Sequence, residues 1–395
     1  MKVNSFAGYP MRTLHLELEA IARDAIELRY FVDNGQRARS RRLSVAEIGD
    51  TIAIGRRQEY PPIEAEVKTG RRLYDWLNGS DNWLTEAIAG ETDGWVLAIA
   101  TPEKPSFVGF GEKVHTRAVT ETDSGIRASL SHLPWELLHD GTEFLVEKTA
   151  PDVVPVRWMP QFGLTESTPK RESASDRPLQ VLFMASDLSA GGAIAKQREQ
   201  ERILSSTHDR PLQLEIEPTG SWEKLGDFVG KFDEDRFDIF HLVIPGNIAD
   251  EHSYFLPETT IAEPGAEIAA LIAKRFPLRF PPLFFLCAYP GSDAHANGAV
   301  ASIAEALIYQ GAKAVLSWES YGAETEATEA MAAFYYTLTC GEALPKAVGK
   351  MYRALIENQQ PNWHWLRLYV GEMALSDRGL FPGLNFPKTG SSLSG

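Results

Sequence analysis

The chain has 395 residues and a net charge of −15, with 44% hydrophobic and 24% charged residues. That length suits two ordinary domains or one large one with a substantial core. Acidity spread along the chain repels phosphate backbones and argues against nucleic acid as a direct ligand. The densest apolar run, LFFLCAY at 283–289, falls far short of the roughly 18–20 residues of a membrane-spanning helix.

From the N-terminus, which lacks the basic and apolar blocks of a signal peptide, LHLEL (14–18) and IELRYFV (26–32) alternate apolar and polar residues. That period of two predicts half-buried strands. The basic cluster Arg37, Arg39, Arg41 and Arg42 beside a turn signal is read as a solvated loop. Between Glu64 and Ala89, the apolar positions Val67, Leu73, Trp76, Leu77, Trp83, Leu84 and Ile88 predict one or two amphipathic helices, broken at Asn78-Gly79-Ser80. GWVLAIAT (94–101) reads as a buried strand, followed by SHLPWELLHDG (131–141), FLVEK (144–148) and VVPVRW (153–158). From Thr165 to Arg177 the sequence turns polar and serine-rich, which marks a linker.

Beyond the linker, strands and helices alternate. Strands are predicted at 179–187, 212–218, 237–246, 282–291 and 312–319, and helices at 193–207, 222–232, 267–276, 299–311, 326–339 and 343–358. Strands apolar along their whole length and separated by helices imply a parallel sheet covered on both faces. In such a sheet, ligand and catalytic groups gather at the carboxyl ends of the strands. Three ends qualify: Ser186-Asp187, His241 to Asn247, and Cys287 to Asp293.

The residues at these ends carry a resemblance. LPWELLHDG (133–141) resembles the LPWELL signature of the CHAT family of caspase-like domains, and five further segments follow in order. DIFHLVIPG resembles the family's D-I-x-H-x-x-x-H-G strand end, and FFLCAYPGS its F-L-x-A-C-x-S/T-G strand end. The segments at 296–320, 330–355 and 362–372 resemble its G-A-x-A-V strand, its helix pair and its closing W-x-x-x-x-x-x-G strand. The resemblance implies a caspase-like, mostly parallel α/β sheet sandwiched by helices, preceded by a non-catalytic caspase-like α/β half. The implied boundaries are 1–164 for that half, 165–177 for the linker, 178–385 for the peptidase-type domain and 386–395 for a tail.

Caspase-type chemistry needs a thiolate and an imidazole on adjacent strand ends. Aligned with the family, the histidine position holds Pro245 and the cysteine position Tyr289. Proline has no titratable group, and a phenol of pKa near ~10 is a poor acyl-transfer nucleophile. The expectation is a pseudo-peptidase that binds protein partners or a peptide segment without cutting. Peptide-presenting positions would be Ser186, Asp187, Gly246, Asn247, Asp293 and Trp318.

The alternative is a displaced dyad of Cys287 with His241 or His295. On regular strands Cys287 sits roughly 6–7 Å below Tyr289, and His241 roughly 13 Å below Pro245. That unequal recession predicts a buried Cys287, out of hydrogen-bond reach of any imidazole, that fills space like a small apolar group. His252, His295 and Asp293 are read as loop surface, and Gly191-Gly192 as a plain turn, so no metal and no cofactor is expected. Trp135, Trp318, Phe334, Tyr335, Trp363 and Trp365 are read as core packing. A third class of function, a small-molecule sensor using the strand-end loops, stays open. Two cysteines outside any CxxC spacing favour a reducing cytoplasm, and the linker-like tail leaves room for a further C-terminal module or a complex subunit.

Overall fold

The computed structural model describes residues 11–32, 38–57, 65–89, 94–101, 129–159, 178–185, 197, 200–201, 203–205, 207–208, 210–220, 222–232, 236–245, 280–289, 299–318, 325–360 and 363–371. The proposed linker, the helix expected at 267–276, Gly191-Gly192 and the tail lie outside these residues. The chain divides into two compact units, one within Tyr9–Pro160 and one within Gln161–Gly395. Both are α/β.

In the first unit, β1 (Arg12–Ala22) and β2 (Ala25–Val32) form an antiparallel hairpin, and β3 (Arg39–Ser44) pairs antiparallel with β2. β4 (Trp95–Ala100) and β5 (Val153–Trp158) add parallel strands on the other side of β1, giving the order β3-β2-β1-β4-β5. The alternation of β1 turns Leu14, Leu16, Leu18 and Ala20 into one core. Helices α1 (Gly49–Arg57), α2 (Glu66–Asn78) and α3 (Trp83–Ile88) follow β3. Leu73, Trp76 and Leu77 of α2 join Trp83, Leu84 and Ile88 of α3 in that core.

The basic cluster departs from expectation. Arg39, Arg41 and Arg42 lie on a strand, with only Arg37 outside the described residues. Edge strands carry outward charges that discourage further pairing, so β3 shows little apolar alternation; Leu43 is its one buried residue. Arg41 is tied down as well, donating to the Asn78 carbonyl at 3.1 Å and to Asp81 Oδ1 at 2.8 Å.

The LPWELL segment is a 3-10 turn at Trp135–Leu137 that packs on α2. The backbones come so close at Gly70 that a Cβ there would collide with the Leu137 carbonyl, while His139 N–H donates to the Gly70 carbonyl at 3.3 Å. Glu136 is fully buried and pairs with Arg157 of β5. The same guanidinium donates to the Leu133 carbonyl at 2.9 Å and the Ser131 carbonyl at 3.2 Å. This one side chain therefore fixes the whole segment against β5.

The second unit has the order β11-β10-β9-β8-β6-β7. The strands are β6 (Leu179–Ala185), β7 (Leu212–Glu217), β8 (Ile239–Pro245), β9 (Leu283–Tyr289), β10 (Ala314–Trp318) and β11 (Leu366–Val370). All neighbours are parallel except β10 and β11. Every residue of β6, β10 and β11 is buried, as strands covered on both faces require. Helices α4 (Trp222–Val229), α5 (Ala299–Tyr309), α6 (Thr325–Thr339) and α7 (Leu344–Glu357) lie between strands; α6 and α7 pack on each other. Asp238 clamps the start of β8 to β6: its carboxylate accepts from Gln180 N–H at 2.9 Å, and its own N–H donates to the Gln180 carbonyl at 2.8 Å. At the start of β11, His364 is fully buried, and Trp365 Nε1–H donates to its Nε2 at 3.1 Å. Burial first, and then the Arg367 cation, lower the His364 pKa to about 3.

Two outcomes follow from these buried groups. Arg157→Ala strands the Glu136 carboxylate and should destabilise the first unit by about 3–5 kcal/mol in urea unfolding; a loss under about 1 kcal/mol would show the pair to be dispensable. His364 is neutral when folded, so its contribution is complete above its ordinary pKa of 6.5 and is lost as pH falls from there toward about 3. The unfolded state binds the extra proton across that window, so stability rises with pH there. His364→Phe should flatten the stability slope between pH 6.5 and roughly 4.5, by up to about 1.4 kcal/mol per pH unit. Equal slopes in the two proteins would remove His364 as the source.

Candidate functional site

β8 and β9 are adjacent and parallel, as the resemblance implies. Their register pairs His241 with Phe285, Val243 with Cys287, and Pro245 with Tyr289. The positions where the resemblance places histidine and cysteine thus stand side by side at the carboxyl ends of neighbouring strands. β6 adds Ala185 beside Val243, and β10 adds Trp318 beside Cys287. Ala185, Val243, Cys287 and Trp318 form one row across the sheet, with Phe183, His241, Phe285 and Leu316 two residues deeper.

One expectation about this row is overturned. Cys287 is fully buried, but it is not isolated: its Sγ lies 3.4 Å from His241 Nε2. Depth below each residue's own strand end does not set the contact. What matters is their offset from each other, which the register sets at two residues, roughly 6–7 Å along the strand. Both side chains leave the same face, and diagonal neighbours at that offset are within reach of long side chains. The imidazole spans the gap.

The other ring nitrogen is also engaged. His241 Nδ1 lies 2.9 Å from the hydroxyl of Tyr335 on α6. The ring stacks on Phe285 with centroids 4.7 Å apart and planes 12° apart, and meets Phe183 edge-on at 5.1 Å. Cys287, His241 and Tyr335 are each completely buried. A neutral imidazole donates through one nitrogen and accepts through the other, while thiol and phenol groups can each do either. The three side chains therefore form a continuous hydrogen-bonded chain that can be satisfied in either sense.

Tyr335 was legible only as an aromatic on an apolar helix face; its hydroxyl has no sequence signal that points to β8. Phe334 and Trp318 are buried, as core packing requires, with Trp318 only 2% exposed. Trp135 and Trp363 are buried too, and Trp365 is half-buried. Ser186, Asp187, Gly246, Asn247, His252, Asp293 and His295 lie outside the described residues. Among the described residues, no group of three or more His, Cys, Asp or Glu side chains could hold a metal ion.

Chemically, a thiol beside an imidazole that is itself oriented by a third group has the connectivity of a nucleophile–base–orienter triad. Its placement differs from a working site: both reacting groups are at zero exposure, Cys287 in the row that contains Trp318 and His241 two residues deeper. Scans of the chain against protein-family models and against curated proteins found no match.

Tyr335→Phe should leave a buried ring nitrogen without its partner. The expected loss is about 1–3 kcal/mol of stability, read as a lower denaturation midpoint at unchanged m-value. A change within about 0.5 kcal/mol would mean that the hydroxyl does not support the imidazole.

Proposed function

We propose that this chain is a CHAT-type, caspase-like pseudo-peptidase acting as a protein-interaction module in a bacterial defence or signalling system. The observation that carries this reading is the in-register pairing of Pro245 with Tyr289 at the ends of two parallel strands. Two positions that would hold an acyl-transfer dyad stand together, and neither residue type can form one. The ordered sequence resemblances from LPWELL to the closing strand support the family, as does a mostly parallel α/β sheet. Strand ends of this kind would still present partner or peptide contacts, for which Ser186, Asp187, Gly246, Asn247 and Asp293 are the proposed positions; Trp318, at 2% exposure, packs in the core and is no contact position.

A second reading, an active cysteine peptidase, draws on the 3.4 Å contact between Cys287 and His241. Complete burial weighs against it, because a reactive thiol needs access as well as an activating neighbour. Contacts of the His241 ring with Phe183, Phe285 and Tyr335 suit a structural role better.

Thiol labelling combined with a protease assay separates the two. Cys340 is exposed and would label first, so the measurement uses Cys340→Ser protein. Cys287 should react with iodoacetamide on the order of a hundredfold or more slower in native protein than in unfolded protein. Casein and peptide libraries should remain intact under reducing conditions. Proteolysis by the wild type that Cys287→Ala abolishes would replace the pseudo-peptidase reading with the active one.

A further inference from the structure

β3 is the edge strand of the first unit's sheet, and its outer side offers unpaired backbone. Val45 N–H donates to the Asp24 carbonyl at 3.0 Å, one pair beyond the β2–β3 register. Facing pairs in an antiparallel ladder alternate between bonded and non-bonded. Leu43, Arg41 and Arg39 therefore direct their N–H and C=O groups at Ile26, Leu28 and Tyr30, and Ser40, Arg42 and Ser44 turn theirs outward. Trp76 Nε1–H takes the Ser44 carbonyl at 2.8 Å. The outward N–H and C=O groups of Ser40 and Arg42 have no partner among the described residues, and both residues are exposed.

The side chains give this edge its charge. Arg39 and Arg41 leave the strand on the same face as the buried Leu43, and Arg42 leaves on the opposite one. Arg41 is committed to Asn78 and Asp81. Arg42 stands across from Glu27 in the register, but the Glu27 carboxylate lies 3.6 Å from Arg29 Nε. Arg39 and Arg42 make no hydrogen bond or ion pair among the described residues, and Arg39 is exposed as well. Two uncommitted guanidiniums thus flank the open backbone, one on each face and three positions apart.

We propose that β3 takes up an extended acidic segment of a partner protein as an added strand. Main-chain pairing to Ser40 and Arg42 supplies the attachment, and the side chains that alternate along the segment supply the selection. Directly opposed residues lie about 4.5–5.5 Å apart at Cβ, within reach of an ion pair. Carboxylates three residues apart in the segment meet Arg42 on one face and Arg39 on the other, whichever way the segment runs. The chain's own edge strands do not match. A second β3 brings like charges together, which opposes pairing. β7 of the second unit carries Glu215 and Glu217 on a single face, with Glu217 buried and Glu215 3.7 Å from Arg236. The surface belongs to the first unit and does not depend on the reading of the strand ends in the second.

Fluorescence anisotropy of labelled TVEVTEVT, TVEVETVT and TVQVTQVT with the full chain at low salt tests the proposal. TVEVTEVT, with carboxylates on opposite faces, should bind with a Kd below about 1 mM. TVEVETVT has the same composition but both carboxylates on one face, and should bind about threefold weaker; the uncharged TVQVTQVT should bind about tenfold weaker. Arg39→Gln combined with Arg42→Gln should abolish the preference for TVEVTEVT over TVQVTQVT. The thermal midpoint should not move, since neither side chain supports a contact among the described residues. Hydrogen exchange distinguishes strand addition from charge attraction alone. With TVEVTEVT at about four times its Kd, the Ser40 and Arg42 amides should exchange about fivefold slower, and the Arg39, Arg41 and Leu43 amides, already paired with β2, should change least. Equal affinity for TVEVTEVT and either control peptide would overturn the proposal. So would unchanged exchange at Ser40 and Arg42, or no binding of TVEVTEVT at roughly 1 mM.

Discussion

A single imidazole at the centre of the second unit imposes the tightest requirement in its core. His241 interrupts an otherwise apolar strand, and a buried ring with an unpaired nitrogen would oppose folding by roughly 1–3 kcal/mol. The requirement is met by side chains from two other elements, Cys287 of β9 and Tyr335 of α6. Unlike an apolar residue, His241 accepts only one arrangement of its neighbours. It ties β8, β9 and α6 together with direction as well as contact, and fully satisfied polar groups of this kind favour a single packing.

The same economy of polar groups appears in the first unit. Arg157 from β5 satisfies the Glu136 carboxylate and two carbonyls of the segment around it. Gly70 lets α2 approach the same segment closely. Buried ion pairs contribute little net stability when intact, yet losing one partner costs several kcal/mol. Their effect is to specify where the LPWELL turn sits. In both units, then, a polar residue within an apolar stretch marks a place where separate elements are fixed to each other.

For function, the consequence is a contrast between geometry and access. Cys287 and His241 have the connectivity of a nucleophile and its base, with Tyr335 as orienter, but they lie inside the packed sheet. Hydrogen bonding within such a chain can be as complete as in an active site without any chemistry following from it, because a substrate carbonyl must reach the sulfur within about 3–3.5 Å. Burial separates a structural chain of this kind from a catalytic one.

The sequence by itself determined the order of the described strands and helices of the second unit and the mostly parallel character of its sheet, because these rest on local periodicity and on unbroken apolar runs. The neighbouring of β8 and β9 and the places of Pro245 and Tyr289 were implied by the resemblance and not by periodicity, which does not say which strands pair. β3 escaped it, because an exposed edge strand rich in arginine has no apolar alternation to read. The contact between Cys287 and His241 was decided only in three dimensions: it depends on a two-residue diagonal offset across the sheet and on the length of an imidazole. The contact of the Tyr335 hydroxyl likewise depends on how a helix lies over the sheet. Periodicity tells which side of an element is buried, and the packing of one element on another decides which polar atoms meet there.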